Sequence, residues 1–425
     1  MKFGTDGVRG PAGQWPIDTD GAARIGAAAV RLGGGGATRV VVGRDTRPSG
    51  PGLAQAVCDA IVSAGGVAID AEVVPTPAVA WAVHTERADV GVMITASHNA
   101  APDNGFKLFA EGGRKPTADE TRQIEAWLAE PSVNRPGGEA TSDRALVADY
   151  AAALGTLASV DLSSRSIAVD CANGAATPLA ARLAELCGAR VVPVAAGDGP
   201  INEGCGAVHP KRLAETVRLQ GLDAGFAVDG DADRCVLVTA DGDVVPGDAL
   251  TWLLTRHMHL DALAVTVMSN AALEGLLPGV RVARTPVGDK HLQRIMAAEG
   301  IALGAEESGH VLFHDWPGGD GLLTGLRGLA AAFASADTLA EAVSPYSAFP
   351  RDLSKIRVAQ RTPLSDVPGL SDQQAAWEQQ LGSGRVFLRY SGTEPVLRIL
   401  VEGPEDAVVQ AVSTEAQAWL SEALA

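Results

Sequence analysis

Short β-branched segments alternate with helical segments along most of this sequence, and the alternation begins afresh twice. The first round predicts strands and helices at 39–42, 52–64, 67–74, 76–85 and 89–95. The second round predicts them at 166–170, 177–186, 191–194, 211–219 and 225–229. The third predicts them at 249–257, 263–268, 281–285, 290–298, 309–313 and 322–334. Strands that alternate with helices form parallel sheets with helices on both faces, so the pattern predicts three similar α/β domains.

The last section of the chain follows a different pattern. It has predicted strands or helices at 355–359, 373–381, 386–389, 396–401 and 406–424. Two strands with so few residues between them pair as antiparallel neighbours, which predicts a smaller α+β domain. Stretches rich in Pro, Gly and Ser at 131–142 and 344–350 are typical of linkers, and Asp241-Gly242 between apolar segments predicts a hairpin turn. The predicted domains of the 425-residue chain are 1–145, 146–245, 246–345 and 346–425.

The acidic charge balance excludes several classes of partner. The formal net charge is −17, which repels polyanions, so we expect no nucleic-acid partner and no anionic membrane surface. The sequence contains no run of about 18 apolar residues, and its first residues lack an apolar segment, so neither a membrane span nor a signal peptide is expected. The 5 cysteines are odd in number and lack C-x-x-C spacing, which predicts reduced thiols and a cytoplasmic location.

A polar segment, Thr95-Ala96-Ser97-His98-Asn99, follows a predicted apolar strand. The carboxyl ends of strands in a parallel α/β sheet face the ligand crevice, so Ser97 is a candidate nucleophile. The alternative is a polar turn whose side chains satisfy backbone groups. His98 is expected to be a poor base for Ser97, because neighbouring side chains of an extended chain point apart.

Three aspartates follow another predicted strand in Asp229-Gly230-Asp231-Ala232-Asp233-Arg234. In extended backbone, carboxylates at this spacing project to one side and repel each other unless a cation lies between them. Hard oxygen ligands of this kind suit Mg²⁺. An EF-hand loop is excluded, since Arg234 stands where its glycine should be. A solvated acidic turn is the alternative, and Arg234 could bind a phosphate oxygen.

The tail contains Arg389-Tyr390-Ser391-Gly392-Thr393-Glu394-Pro395. An arginine, two hydroxyls and a glycine that lets backbone N–H groups approach make a phosphate cradle. A turn between two strands is the alternative interpretation.

A polar loop flanked by glycines, Gly304-Ala305-Glu306-Glu307-Ser308-Gly309-His310, offers carboxylate and hydroxyl partners for sugar hydroxyls. A surface turn is again the alternative. Two further segments, at 4–10 and 104–107, place the single cations Arg9 and Lys107 beside glycines.

Taken together, these segments resemble the α-D-phosphohexomutase family. The resemblance covers nearly the whole chain, and the matching segments, 4–10, 95–99, 229–234, 306–310 and 389–395, come in the order that the family has. Several long motifs in fixed order are far more specific than any one of them. Further segments at 202–210, 285–291 and 319–321 are similar to the members that act on glucosamine phosphates.

The resemblance implies an α/β fold: three similar α/β/α domains with mixed sheets and a smaller C-terminal α+β domain, around a central cleft. It implies that Ser97 carries a phosphoryl group at rest, and that one Mg²⁺ per chain is bound by Ser97, Asp229, Asp231 and Asp233. A hexose 1,6-bisphosphate is the implied activator. The implied reaction interconverts glucosamine 6-phosphate and glucosamine 1-phosphate through the 1,6-bisphosphate and feeds UDP-N-acetylglucosamine synthesis.

The same resemblance assigns roles to individual residues. The implied catalytic residues are Ser97, Lys107, Arg9 and His98. Lys107 is expected to be the general acid/base, which requires a lowered pKa that nearby Arg9 or burial could supply. The implied substrate-binding residues are Arg234, Glu306, Ser308, His310 and Lys290. The implied phosphate-binding residues are Arg389, Ser391, Gly392 and Thr393.

The sequence departs from the usual family pattern at Ala100, Ala232, Glu307 and Tyr390. None of these departures removes a charged or hydroxyl group that the chemistry needs, but Glu307 leaves the identity of the preferred sugar undecided. Phosphomannomutase or phosphoglucomutase activity is therefore the alternative within the family. Outside it, the alternatives are a phosphatase with Asp229 as nucleophile and a sensor that binds sugar phosphates without turnover. The chain is expected to be a monomer or a homodimer.

Overall fold

The computed structural model describes residues 2–4, 6–130, 140–391 and 394–424. The chain divides into two compact units: unit 1 comprises Met1–Val267 and Ala283–Val343, and unit 2 comprises Met268–Val282 and Ser344–Ala425. The predicted linker at 131–142 lies mostly outside the described residues. None of the described helices is long and apolar enough to span a bilayer.

The first sheet has the strand order β1-β5-β4-β2-β3-β6. Its strands are β1 (Val8–Pro11), β2 (Arg39–Arg44), β3 (Val67–Val73), β4 (Val90–Ile94), β5 (Asp103–Phe109) and β6 (Thr141–Ser142). Its helices are α1 (Thr19–Leu32), α2 (Gly50–Ser63), α3 (Thr76–His84) and α4 (Ala118–Ala129). β2 pairs in parallel with β3 and β4, whereas β5 is antiparallel to both β4 and β1.

The second sheet has the order β11-β10-β9-β7-β8. Its strands are β7 (Ser166–Asp170), β8 (Arg190–Val194), β9 (Ala224–Val228), β10 (Cys235–Thr239) and β11 (Val244–Val245). The helices of this part of the chain are α5 (Leu146–Ala158), α6 (Leu183–Cys187) and α7 (Lys211–Gln220). The single helix predicted at 177–186 is wrong: a 3₁₀ turn at Thr177–Leu179 precedes the short α6, although Leu179 and Leu183 keep the buried i, i+4 spacing. The predicted hairpin is confirmed, because β10 and β11 are antiparallel and Gly242 has φ +89°.

The third sheet has the order β13-β12-β14-β15. Its strands are β12 (Ala262–Thr266), β13 (Arg281–Thr285), β14 (Leu303–Ala305) and β15 (Val311–Phe313). The helices of this part of the chain are α8 (Gly247–His257), α9 (Ala272–Leu276), α10 (Asp289–Glu299), α11 (Gly321–Ser335) and α12 (Leu339–Val343). β12 and β14 are parallel, and β14 and β15 are antiparallel.

The fourth sheet, in unit 2, has the order β16-β18-β17 and is antiparallel throughout. Its elements are β16 (Arg351–Arg357), α13 (Leu370–Leu381), β17 (Arg385–Tyr390), β18 (Val396–Glu402) and α14 (Asp406–Ala423). Trp377 of α13 is fully buried among aliphatic side chains of the sheet and of α14. The predicted smaller α+β tail is confirmed.

Four of the polar segments singled out in the sequence, those at 95–99, 229–234, 304–310 and 389–395, each connect two antiparallel neighbours. The pairs are β4 and β5, β9 and β10, β14 and β15, and β17 and β18. The mixed sheets implied by the family resemblance are confirmed, and wholly parallel sheets are not, because a connection this short can only reverse the chain. Each candidate loop is therefore held at both ends by one hydrogen-bonded pair of strands.

Candidate active site

Ser97 lies in the connection from β4 to β5, which we call the serine loop (residues 95–103). The loop begins where the buried strand β4 ends, and the Ser97 amide donates a hydrogen bond to Thr95 Oγ1 at 2.8 Å. Ser97 has φ +53°, in the left-handed region, which a non-glycine residue keeps only when its surroundings hold it there. Its buried Oγ donates to Asp229 Oδ2 at 2.7 Å and lies 3.2 Å from His98 Nδ1.

The expectation that His98 points away from Ser97 is wrong. It assumed extended backbone, and the left-handed turn at Ser97 brings the two neighbouring side chains together. Burial and, to a smaller extent, the nearby charges of Arg234 and Arg9 lower the pKa of His98 to about 4. The His98 imidazole is therefore neutral at neutral pH, and its Nδ1 is a second acceptor to which the single Ser97 hydroxyl proton could turn from Asp229 Oδ2.

The three aspartates converge in the connection from β9 to β10, the acid loop (residues 229–234). One carboxylate oxygen from each of Asp229, Asp231 and Asp233 lies within 4.8 Å of the others, and all three residues are buried. The sequence predicts that the three carboxylates converge, but the reason given for it, an extended backbone, is wrong. The chain is not extended here, since it turns through Ala232 at φ +61°, and the Asp233 amide donates back to Asp229 Oδ1 at 3.1 Å.

The electrostatics of the acid loop fit a divalent cation. Burial and, to a smaller extent, the charges of Asp233 and Asp231 raise the pKa of Asp229 to about 8. Asp231 Oδ1 and Asp233 Oδ1 are buried and accept no hydrogen bond from the described residues. Buried carboxylate oxygens without donors are costly unless a cation approaches them, and an all-oxygen set of this kind is what Mg²⁺ prefers.

Lys107, on β5, is held among carboxylates. Its Nζ lies 2.7 Å from Asp231 Oδ2, 2.7 Å from Asp233 Oδ2 and 3.2 Å from Asp6 Oδ2. The expected lowering of its pKa is wrong. Burial acts in that direction, but the three carboxylates outweigh it and raise the pKa of Lys107 well above its usual value. The side chain is therefore a fixed ammonium at neutral pH.

Arg9 and Arg234 add two guanidinium groups to this region. Arg9 forms an ion pair with Asp6, and the Arg234 Nε lies 4.0 Å from Asp233 Oδ1. The Arg234 side chain keeps 25% of its surface exposed, so it can meet an incoming anion. Burial alone would lower the pKa of Arg234, but Asp229 and Asp233 raise it.

A second group of buried charges adjoins the acid loop. Lys115 forms ion pairs with Asp6 and, at 2.6 Å, with Asp289 Oδ2. His310 lies between carboxylates, with Nδ1 3.7 Å from Asp233 Oδ1 and Nε2 3.5 Å from Asp289 Oδ2. Burial lowers the pKa of His310, but these two partners outweigh it and bring the pKa to about 10. Sequence reasoning missed Asp6, Lys115 and Asp289, since none stands in an acidic or basic pattern of its own.

Replacing Lys115 by methionine is expected to lower the free energy of unfolding by about 3–5 kcal/mol, because Asp289 keeps a buried charge without its closest cation. Chemical denaturation monitored by circular dichroism measures the change. Lys211→Met is the matched control: its ion pair with Glu215 is 4.0 Å long and its side chain is 89% exposed, so a loss below about 1 kcal/mol is expected. Equal losses in the two variants would contradict the prediction.

The predicted sugar loop connects β14 to β15 and is hydrogen-bonded both within itself and to Gly288, just before α10. Glu306 Oε1 accepts from the Gly288 amide at 3.0 Å, and its Oε2 accepts from Ser308 Oγ at 3.3 Å. Glu306, Ser308 and Lys290 are all half-buried. The structure thus brings Glu306 and Ser308 together, and it places His310 among the charged groups.

The predicted phosphate loop, in unit 2, is described in part. Arg389 is exposed at the end of β17, whereas Ser391 is buried and its Oγ accepts from the Glu394 amide at 3.3 Å. Gly392 and Thr393 lie outside the described residues. Tyr390, an unusual residue at its position, is accommodated because its hydroxyl donates to the Thr362 carbonyl at 2.7 Å.

Comparisons with known proteins agree on one family. Sequence profiles described as phosphoglucomutase/phosphomannomutase match alpha/beta/alpha domain I at 1–134, domain II at 148–242, domain III at 246–349 and the C-terminal domain at 353–417. A phosphoglucosamine mutase of Frankia casuarinae is 41% identical over 99% of this chain and 98% of its own length. A phosphoglucosamine mutase of Rhodospirillum rubrum is 40% identical over 96% of each chain.

Solved structures show the same fold. A phosphoglucomutase/phosphomannomutase family protein from Burkholderia thailandensis superposes with a TM-score of 0.81 at 24% identity, over 99% of this chain and 97% of that one. The N-acetylphosphoglucosamine mutase of Aspergillus fumigatus, solved with GlcNAc-6P and magnesium, gives a TM-score of 0.67 at 18% identity, over 100% of this chain and 96% of that one.

Proposed function

This chain belongs to the phosphoglucomutase/phosphomannomutase family, and we propose that it acts as a phosphoglucosamine mutase, an isomerase that interconverts glucosamine 6-phosphate and glucosamine 1-phosphate. The observation that carries the chemistry is the buried Ser97 Oγ, 2.7 Å from Asp229 Oδ2 and beside a cluster of three carboxylates. The sugar is inferred from relatives named phosphoglucosamine mutase that match nearly the whole chain. The product would feed UDP-N-acetylglucosamine synthesis.

In the proposed reaction a phosphoryl group moves between Ser97 and the sugar. In the first step the bond from phosphorus to Ser97 Oγ breaks and Oγ takes up a proton, while a bond from phosphorus to a sugar hydroxyl oxygen forms and that hydroxyl gives up its proton. In the return step the bond from the other phosphorus of the hexosamine 1,6-bisphosphate to its sugar oxygen breaks and that oxygen takes up a proton, while a bond from this phosphorus to Ser97 Oγ forms and the serine hydroxyl gives up its proton. His98 Nδ1 and Asp229 Oδ2, 3.2 Å and 2.7 Å from Ser97 Oγ, are the groups within reach of that proton.

We propose one Mg²⁺ per chain, held by Asp229, Asp231, Asp233 and the oxygen on Ser97. A cation there would offset the phosphate charge and polarise the transferring group. The all-carboxylate donor set favours Mg²⁺ over softer metals. A hexose 1,6-bisphosphate is the proposed activator, since it can phosphorylate Ser97 without a separate kinase.

Lys107, Arg9 and Arg234 supply fixed positive charge for the phosphoryl group in this proposal. The raised pKa of Lys107 gives it a charge-stabilising role, because the side chain keeps its proton and so serves neither as a base nor as a ready proton donor at neutral pH. Arg234, which stays partly exposed, is suited to bidentate contact with phosphate oxygens.

The remaining predicted residues bind the substrate in this proposal. Glu306 and Ser308 would form hydrogen bonds with sugar hydroxyls, and Lys290 and His310 are the other residues proposed to bind the sugar. Arg389, Ser391, Gly392 and Thr393 would bind the phosphate that does not react, as the exposed guanidinium of Arg389 allows.

The broader organisation is also a proposal. We propose domains at 1–145, 146–245, 246–345 and 346–425, because the strands form four separate β-sheets in that order along the chain. The five cysteines are all free and buried, which suits the reducing cytoplasm. The net charge of −17 disfavours nucleic-acid and anionic membrane partners, and the proposed assembly is a monomer or a homodimer.

Phosphorus NMR tests the proposal directly. The purified protein, with Mg²⁺ and a trace of glucose 1,6-bisphosphate, is offered glucosamine 6-phosphate, glucose 6-phosphate and mannose 6-phosphate in separate samples. We expect the fastest growth of a sugar 1-phosphate signal with glucosamine 6-phosphate. A preference for glucose or mannose 6-phosphate would overturn the assigned sugar. Inorganic phosphate as the main product would indicate a hydrolase, and binding without any new signal would indicate a sensor.

A further inference from the structure

Arg47, in the connection from β2 to α2, directs its whole guanidinium at the serine loop and one carboxylate. The residue is only 1% exposed. Its Nη2 donates to the carbonyls of Ser97 and Asn99 at 2.9 and 2.8 Å, and its Nη1 donates to those of Ala100 and Asp103 at 2.5 and 2.9 Å. Its Nε donates to Asp45 Oδ2 at 2.9 Å. All the N–H directions of the side chain are thereby used.

Asp45 connects this guanidinium to the other side of Ser97. Its Oδ2 accepts both from Arg47 and, at 2.7 Å, from Thr95 Oγ1. Thr95 Oγ1 in turn accepts from the Ser97 amide at 2.8 Å. The amide and the carbonyl of Ser97 are thus held by one buried network, which fixes the peptide planes on both sides of the serine.

Asn202, between β8 and α7, holds the same loop from the second sheet. Its Nδ2 donates to the carbonyls of Ser97 and Asn99 at 2.8 and 3.0 Å. Gly230 of the acid loop packs against the same carbonyl: a Cβ added there would lie 2.6 Å from the Ser97 oxygen. The serine loop is therefore held by hydrogen bonds from two sides: from Arg47, which follows a strand of the first sheet, and from Asn202, which follows a strand of the second sheet.

We propose that Arg47 and Asn202 are positioning residues for phosphoryl transfer, which hold the left-handed backbone of Ser97 so that its Oγ faces the acid loop. The inference rests on the proposed function. Neither side chain contacts the serine oxygen that reacts; both act through carbonyl oxygens of the serine loop. The carbonyls of Ser97, Asn99 and Ala100 lie between β4 and β5, outside the strand pairing, so without the two donors the loop loses contacts that help to select one conformation.

Arg47→Ala is expected to lower kcat about 10²-fold and to leave KM for the sugar phosphate nearly unchanged, since a misplacement of about 1 Å at the reacting atom has effects of that size. Arg47→Lys, which keeps the charge but loses the planar fork, should also be impaired. Guanidinium added to Arg47→Ala, well below concentrations that unfold the protein, should restore part of kcat, and urea at the same concentration should not. Intact-protein mass spectrometry follows phosphorylation of Ser97 by glucose 1,6-bisphosphate in parallel.

Arg327→Met is the matched control, because Arg327 also pairs with a carboxylate, Asp315, at 2.9 Å and is mostly buried. It should lose stability and keep the wild-type kcat. If Arg47→Ala does not fold, Asn202→Gly carries the test: glycine retains the left-handed backbone at φ +61° and removes the amide, so kcat should fall. Wild-type kcat in folded Arg47→Ala or in Asn202→Gly would overturn the inference alone, whereas a wild-type protein without mutase turnover would overturn the proposed function as well.

Discussion

Replacing Ser97 by alanine is expected to lower mutase turnover by roughly 10⁴-fold or more, since removal of a nucleophile from an enzyme with a covalent intermediate has effects of this order. The variant should remain folded. Alanine loses the hydrogen bond to Asp229 Oδ2 but keeps the amide that donates to Thr95 Oγ1. The left-handed backbone is no more strained with alanine than with serine, because both carry one Cβ.

Three measurements on Ser97→Ala separate the candidate reactions. After incubation with glucose 1,6-bisphosphate, intact-protein mass spectrometry should find one phosphoryl group on the wild type and none on the variant. Ser335→Ala is the control, since Ser335 Oγ donates within helix α11 and has no part in the proposal, and it should be phosphorylated like the wild type. Thermal unfolding checks that the fold is retained. Normal turnover, or release of inorganic phosphate by Ser97→Ala, would contradict the serine pathway and favour Asp229 as nucleophile.

The two loops that carry Ser97 and Asp229 in the candidate site could be located from the sequence, because each follows a strand made of apolar residues and glycine. Ser97 comes just after β4, Val-Gly-Val-Met-Ile, and Asp229 directly follows β9, Ala-Gly-Phe-Ala-Val, and every residue of both strands is buried. A polar or charged residue at the end of such a strand cannot continue into the apolar core, so it marks the sheet edge where ligands bind. The strand positions and the candidate residues follow from that rule.

The shape of the loops could not be predicted in the same way. Ser97 and Ala232 have φ of +53° and +61°, and neither residue type favours the left-handed region. At Ser97 the conformation is held by donors from Arg47 and Asn202, which lie 50 and 105 residues away in sequence. The expectations for His98 and for the aspartates assumed extended backbone, because the contacts that bend it come from distant parts of the chain.

The direction of the Lys107 pKa shift also could not be predicted from the sequence. Burial and the neighbouring Arg9 both lower the pKa, and they were the influences that local reasoning could identify. The carboxylates of Asp231 and Asp233, which reverse the shift, are 124 and 126 residues away and meet Lys107 only after two sheets have formed. A pKa depends on which charges approach within a few ångströms, and the topology decides that.

Asp231→Asn is expected to weaken binding of Mn²⁺, used as a spectroscopic substitute for Mg²⁺, by about 10²-fold or more. The substitution keeps the shape of the side chain but removes one of three charges whose oxygens lie within 4.8 Å. Asparagine can still accept from Thr76 Oγ1 and Lys107 Nζ, which bind Asp231 Oδ2 at 2.6 and 2.7 Å, so the local structure should persist. Turnover should fall with the loss of metal.

Electron paramagnetic resonance of free Mn²⁺ gives the affinity without relying on activity, and thermal unfolding gives a second reading. A metal at 100 times its Kd stabilises the folded state by about 2.7 kcal/mol, so the wild type should melt at a higher temperature with Mn²⁺ and Asp231→Asn should not. Asp241→Asn removes the same charge from an exposed turn after β10 and should bind Mn²⁺ like the wild type. If Asp231→Asn and Asp241→Asn bound equally well, the acid loop would not be the metal site. The charge of the three buried carboxylates would then be balanced by the chain's own cations, Lys107, Arg234 and His310, and the chemistry at Ser97 would rest on them.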